Sequence, residues 1–387
     1  MIPDHRLRPT ALETAVGLML GPDPQAPTLP ETPVTTPRAA LQASVRRALL
    51  RQPCVVAFSG GRDSSAVLAL AVDVARREGL PLPLPVTMRF PGVPETEESA
   101  WQEHVIGHLG VADWLRLDLT DELDYVGPVA QRLMTRHGLV WPANSHAHLL
   151  ILEHARGGAL LDGVDGDSVF SWPYVALLEV LRLGRRPGRV PARQLRALLR
   201  RPSARRKAAR RAGPQLGWLT PWARSEFLDT LAADVASEPF SYARRVRWYH
   251  GSRYVGALKW STGLLAADVD VQVERPFLDP DFLVAWARHT GATGFRGRAA
   301  ALAELVGDLL PPAVVARRTK AVFPNYWGPA SSALAGAWSG AGVDRRFVDP
   351  DGLRHAWTGP HRDHRSAFLL QAVWLDQHRR DQVAGPC

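Results

Sequence analysis

The sequence predicts an α/β fold: a parallel sheet covered by helices on both faces, followed by a helical region. Three observations carry this. Short apolar strands alternate with helical patterns through the first 170 or so residues, a glycine-rich turn joins the first strand to its helix, and from about Ser171 the pattern becomes helices punctuated by Pro with no convincing strand.

Residues 1–38 are rich in Pro and Thr, hold one short helical pattern at 10–20, and read as an N-terminal arm. An amphipathic stretch from Ala39 to Leu50 precedes the first βα unit, with Val55 to Phe58 as strand, Ser59 to Asp63 as loop and Ser64 to Glu78 as helix. A second strand is expected over Val86 to Phe90, closed by Pro91-Gly92. The next helix is expected to begin at Thr96 with Glu97 and Glu98 in its first turn, where carboxylates favour the helix dipole. Further strands are expected at Trp114–Leu117 and Ala159–Leu161, with a helix around His146–Arg156 between them. This rhythm divides the chain into the arm, an α/β domain over 39–170 and a helical region over 171–387 that completes a site on the sheet.

With 387 residues, 46% of them hydrophobic, the chain can bury one large core or two closely packed ones. No apolar run is long enough for a membrane span and the first twenty residues lack a secretory pattern, so a cytoplasmic location is expected. Only Cys54 and Cys387 are present, which excludes a disulfide framework and a cysteine zinc site. The formal charge of +9 comes from 47 basic residues of which three, Lys207, Lys259 and Lys320, are lysines. Such a preference for arginine, with much Ala, Gly and Pro, reflects codon bias more than a nucleic-acid partner. Residues 182–211 carry twelve arginines and one lysine; a solvated helical insertion is the plainer reading, docking of an acidic partner the sharper one.

The densest chemistry lies in Ser59-Gly60-Gly61-Arg62-Asp63-Ser64-Ser65, between a buried strand and a helix. Its glycines permit a tight turn, so successive N–H groups and the helix N-terminus can face phosphate oxygens while Ser59, Ser64 and Ser65 supply neutral donors. The Gly-Lys-Ser/Thr ending of kinase and GTPase loops is missing. Asp63 instead offers a carboxylate to Mg²⁺, an arrangement suited to departure of pyrophosphate.

The segment resembles the SGGxDS motif of the PP-loop ATP pyrophosphatases, whose sheet is of the adenine-nucleotide α-hydrolase type. Four later segments are similar, in order, to the synthetase domain of the asparagine synthetase family, which includes β-lactam synthetase and the lasso-peptide cyclases. They are Phe90 to Ala100 with the helix reaching Leu109-Gly110, Leu161 to Phe170, Val273 to Asp279 with its Pro-Phe-Leu-Asp ending, and Leu309 to Phe323. The resemblance covers about residues 40–325. It implies ATP and Mg²⁺ as ligands, with Asp63 and Asp167 on the metal, Gly163 allowing close approach to the nucleotide, and Glu98 and Arg317 in support. It further implies that Lys320 stabilises charge as an amine attacks an acyl adenylate. Met88 and Phe90 would face the adenine, although a strand at that place also packs them into a core.

Two departures matter. The resemblance puts a glutaminase domain, with cysteine at position 2, ahead of the loop; here Ile2 stands there and the loop begins at Ser59, so no glutamine hydrolysis is expected. Val164 occupies the position where asparagine synthetase has Glu and β-lactam synthetase has Tyr, and it cannot take a proton. Either Asp165 does so, or the amine arrives neutral, or activity is lost. His146 and His148 lack the spacing and the third ligand of a metal site and read as packing or lining residues.

The expected function is an ATP-dependent amide synthetase, a C–N ligase acting on small-molecule or peptide carboxylates and amines in a specialised pathway. A homodimer and a separate pathway protein both remain compatible with it. The rival readings are a PP-loop tRNA-modifying enzyme gripping RNA through 182–211, and a degenerate nucleotide-binding scaffold.

Overall fold

The structure, a computed structural model, describes residues 7–33, 35–171, 202–317, 319, 327–360 and 362–384. Five parallel strands form one sheet in the order β3-β2-β1-β4-β5: β1 Cys54–Ala57, β2 Leu84–Arg89, β3 Leu115–Asp118, β4 Ala159–Leu161 and β5 Gln272–Glu274. The order reverses between β1 and β4, so their carboxyl ends open into a crevice at the centre of the sheet.

β5 corrects the expectation that the region after Ser171 holds no strand. It is a three-residue edge strand, Gln-Val-Glu, half-buried throughout, and it completes the sheet beside β4 through the pairs Ala159↔Gln272 and Leu161↔Glu274.

The helices relevant to the crevice are α1 Ala11–Val16, α2 Pro37–Leu49, α3 Arg62–Glu78, α4 Ser99–Leu109, α5 Pro128–His137, α6 Arg253–Ala267, α7 Arg298–Val306 and α8 Ala367–Ala384. Strand alternation sorts the core into two layers. Val56 and Leu161 point into an apolar layer shared with α2, α3 and α7, while Val55 and Leu160 point into a second shared with α5 and α8. α3 sits between sheet and outer helices and is buried almost along its length. Its C-terminus stops at Gly79 with φ +67°, a conformation glycine adopts without Cβ strain.

The arm folds onto the helical region: Arg253 at the start of α6 bonds Glu13 at 2.8 Å, and the Trp218 indole donates to the Ala15 carbonyl at 2.8 Å. Among the described residues no helix is long and apolar enough to cross a membrane.

Candidate active site at the carboxyl end of the sheet

After β1 the chain makes a loop that is held by its own side chains. The Ser59 hydroxyl accepts from Gly61 N–H at 3.3 Å and lies 3.0 Å from the Ser64 hydroxyl, which in turn donates to the Gly61 carbonyl at 3.1 Å. Gly60 has φ +80°, and a Cβ there would come within 2.7 Å of Gln102 Cγ, so both conformation and space require glycine. Gln102, on α4, donates to the Ser59 carbonyl at 3.1 Å. The hydroxyls of Ser59 and Ser64 thus shape the loop rather than standing free for a ligand. The buried Ser65 hydroxyl has no partner, as a group awaiting one would. The loop runs into the N-terminus of α3, which starts at Arg62 and puts its unpaired N–H groups at the crevice.

The turn after β4 lies directly against this loop. A Cβ on Gly163 would sit 2.9 Å from Ser64 N, and one on Gly166 would sit 2.6 Å from Asp63 Cγ. Only glycines allow that approach. Asp167 is close enough for its charge to act on both Asp63 and Asp165.

Asp63 is mostly buried, which drives its pKa up; the guanidinium of Arg298 works against that by gripping both carboxylate oxygens. Arg298 and Arg317 lie near enough to Arg62 to repel it, and burial together with these two charges lowers the Arg62 pKa. Arg298 and Arg317 are already held by Asp63 and Glu98, so Arg62, beside the N–H-lined loop, is the guanidinium placed to meet a phosphate.

Arg317 ties the C-terminal motif to the loop. It donates to the Gly60 carbonyl at 3.2 Å, forms a buried ion pair with Glu98, and stacks over Trp101 with 4.7 Å from guanidinium carbon to ring centre. Glu98 is not in the first turn of its helix as expected. A short 3₁₀ turn at Pro94–Thr96 delays α4 to Ser99, leaving Glu98 as the residue before the helix and free to face Arg317. Beside it, Met88, Phe90, Val93 and Glu98 line a cleft of about 460 Å³, while Met88 and Phe90 also pack against the small apolar cluster of Leu119 and Leu123.

The β4 turn is braced from below. Buried Asp162 accepts from Val164 N–H at 3.1 Å and from Arg275 Nε at 3.0 Å, and Arg275 also donates to Thr262 at 2.6 Å. Asp165 adopts φ +65°, an uncommon state for a residue with a side chain, and is buried with one carboxylate oxygen unpartnered. Burial pushes its pKa up to about 6, against a hydrogen bond at 3.0 Å from the Tyr254 hydroxyl of α6. Val164 packs against the apolar cluster of Trp141, Ala257 and Phe368, which Tyr254 also touches.

Of the residues singled out from sequence, Ser59, Gly60, Gly61, Asp63, Ser64, Ser65, Gly163, Asp165, Asp167, Glu98 and Arg317 gather at this end of the sheet. Lys320 lies outside the described residues, as do residues 182–201 of the arginine-rich stretch. His146 is buried between the carbonyls of Leu123 and Ala143 at 3.0 and 3.2 Å, a packing position, and burial lowers its pKa. Among the described residues no three His, Cys, Asp or Glu side chains gather as metal ligands. For Mg²⁺, which keeps waters and phosphate oxygens, two carboxylates suffice, and the glycine-made contact between the β4 turn and Asp63 fits Asp63 and Asp167 to that role. Arg298, Arg275 and Tyr254 were not singled out as site residues. Arg275 at least stands within the Val273 to Asp279 segment, whereas Arg298 and Tyr254 carry no local signal.

The asparagine synthase family model matches residues 36–377. The chain belongs to the asparagine synthase family. A comparison with curated proteins matches none of them. The match spans both the sheet and the helical region, including β5 and the Arg317 segment, and membership assigns the chain to the ATP-using amide synthetases in general. The α/β architecture with an all-parallel sheet agrees with the fold expected from the SGGxDS resemblance.

Proposed function

We propose that this member of the asparagine synthase family adenylates a substrate carboxylate with release of pyrophosphate and then passes the acyl group to an amine, forming an amide in a specialised biosynthetic pathway. The observation that carries this reading is the seating of Gly163 and Gly166 on Ser64 and Asp63, which brings two carboxylates to the rim of an anion-binding loop. The N–H groups at the start of α3, the Ser65 hydroxyl and Arg62 would hold the triphosphate, with Arg317 and Glu98 fixing the loop from behind. Asp63 and Asp167 would hold Mg²⁺, which when bound supplies positive charge against the leaving pyrophosphate.

In the second half-reaction Asp165 is the proton acceptor in this reading. Its raised pKa, near 6, suits a base that is ionised at neutral pH yet able to receive a proton, and Tyr254 holds one of its oxygens in place. Lys320 is proposed to stabilise the charge that builds as the amine attacks; Arg317, three residues before it, contacts the Gly60 carbonyl. Val164 is then an apolar neighbour of the amine and takes no proton.

Purified protein incubated with ATP, Mg²⁺ and a panel of carboxylic acids is expected to exchange radiolabelled pyrophosphate into ATP, and Lys320→Ala to retain exchange while losing amide formation. Appearance of ADP and phosphate, in place of AMP and pyrophosphate, would reject the adenylation. An inert scaffold would give no exchange with any acid.

A further inference from the structure

A second cavity, of about 490 Å³, lies at the opposite end of the sheet. Its position follows from α5, whose last residue His137 meets Asp268 at 2.6 Å; the neighbouring Val269 carbonyl bonds Gly157 N–H just before β4 begins. The wall carries Arg8, Arg136 and Arg379 with His137 and His378, and none of the lining residues is acidic.

The arginines are not equivalent. Arg136 is answered by Asp268 at 2.9 Å. Arg8 is aimed by the chain: it donates to the carbonyls of His137 and Leu139 at 3.0 and 3.4 Å and lies over the Trp260 ring at 5.4 Å. Arg379, on the last turns of α8, has no ion-pair partner among the described residues. A Cβ at Gly138 would be 3.4 Å from Arg8 Nη1 and 3.9 Å from Arg379 Nη2, so the two guanidiniums close on the same small volume. Carbonyls spread around Arg8 but no carboxylate meets the pair, and like charges this close favour an anion between them. The rest of the wall is mixed: Met134, Leu139 and Leu375 supply apolar surface, and His378, stacked on Trp374 at 4.8 Å, adds a ring nitrogen. The volume exceeds what an inorganic ion fills, so a carbon skeleton would meet the apolar side while its charges meet the arginines.

We propose that this cavity binds a small organic polyanion, a di- or tricarboxylate or a phosphate monoester, at a site separate from the phosphate loop.

Isothermal titration of the full chain with citrate and, separately, with glycerol 3-phosphate tests this. At least one probe is expected to bind with a Kd below about 1 mM, and Arg379→Gln to weaken it roughly tenfold or more, as loss of a charge-assisted contact does. Arg379 is exposed and makes no ion pair among the described residues, so this variant is expected to keep the wild-type melting temperature. Two controls separate the site from other sources of binding. Arg132→Gln removes the same charge from α5 outside the cavity and should leave the Kd unchanged; Ser65→Ala, at the phosphate loop, should do likewise. Tighter citrate would assign a carboxylate ligand, tighter glycerol 3-phosphate a phosphate ligand. Absence of binding by both probes, equal weakening in Arg132→Gln, or loss of binding in Ser65→Ala would overturn the proposal. Because neither probe reports on turnover, this outcome is independent of the proposed amide synthesis.

Discussion

Asp63 and Asp165 stand at the same end of one sheet, on loops that touch, and burial pushes both carboxyls toward the protonated state. Asp63 is met by a guanidinium, Arg298, which holds it ionised and in place. Asp165 is met by neutral hydroxyls, Tyr254 at 3.0 Å and Tyr249 beside it, with the Arg275 charge acting without an ion pair, and it sits at φ +65°. A carboxylate matched by a cation is suited to holding charge at a fixed point; one left near its own pKa in a strained turn is suited to exchanging a proton. The difference between a holding and an exchanging group is therefore written in their partners and not in their depth.

The contact between the two loops is the largest lever on this comparison. In Gly166→Ala the added methyl would meet Asp63 Cγ at 2.6 Å and force the carboxylate off Arg298 and away from Asp167. Pyrophosphate exchange is expected to fall on the order of a thousandfold, since misplacing charge at a transition state by about an ångström is costly. Far-UV circular dichroism should stay unchanged. Near-wild-type exchange would mean that the turn can retreat and that the two carboxylates need not act together.

Asp165→Asn separates the two roles. Amide formation is expected to drop about a hundredfold, in the range for loss of a general base, while pyrophosphate exchange persists. In the wild type, amide formation should lose rate below about pH 6, where Asp165 becomes protonated. Stability should move the other way. A carboxyl whose pKa rises from 3.8 to about 6 on folding favours the folded chain at low pH, and that contribution is lost as pH climbs through 6. Asparagine removes the cost of ionisation, so the variant is expected to be more stable at pH 8 by on the order of 3 kcal/mol and equal below pH 4, measured by urea unfolding. A variant less stable at pH 8 would place Asp165 among structural residues.

How much of this could be read from the sequence follows from the range of the contacts. The first four strands are flanked by Gly and Pro turns and announce themselves locally. β5 does not: its three residues are half-buried at a sheet edge, its polar ends bond each other, Gln272 to Glu274 at 2.8 Å, and Arg47 reaches Glu274 at 2.8 Å from far along the chain. The phosphate loop and the β4 turn are legible because glycine spacing records where backbones must approach. Glu98 and Arg317 were found through family motifs, even though Pro94 displaces the helix by a turn. Arg298 and Tyr254 act on Asp63 and Asp165 across 235 and 89 residues and leave no trace in their own neighbourhoods. Partners of charged groups, which decide what the carboxylates do, are thus the part that only the folded chain supplies.

The smallest effect is expected at Arg298, and it sharpens the comparison from the Asp63 side. Arg298→Gln leaves a largely buried carboxylate without its cation while the loop geometry is otherwise unaltered. The nucleotide-free protein should lose about 2 kcal/mol, below the roughly 3–5 kcal/mol that breaking a fully buried ion pair costs, because the arginine is one-fifth exposed. If Asp63 also serves Mg²⁺, a divalent cation brought in with a non-hydrolysable ATP analogue supplies the missing positive charge, and the deficit against wild type should shrink when unfolding is repeated with both present. A deficit that stays the same with Mg²⁺ and the analogue would mean that Asp63 serves Arg298 alone. Asp63 would then be a structural anchor for α7, and the contrast with Asp165 would lie between a brace and a reactive group.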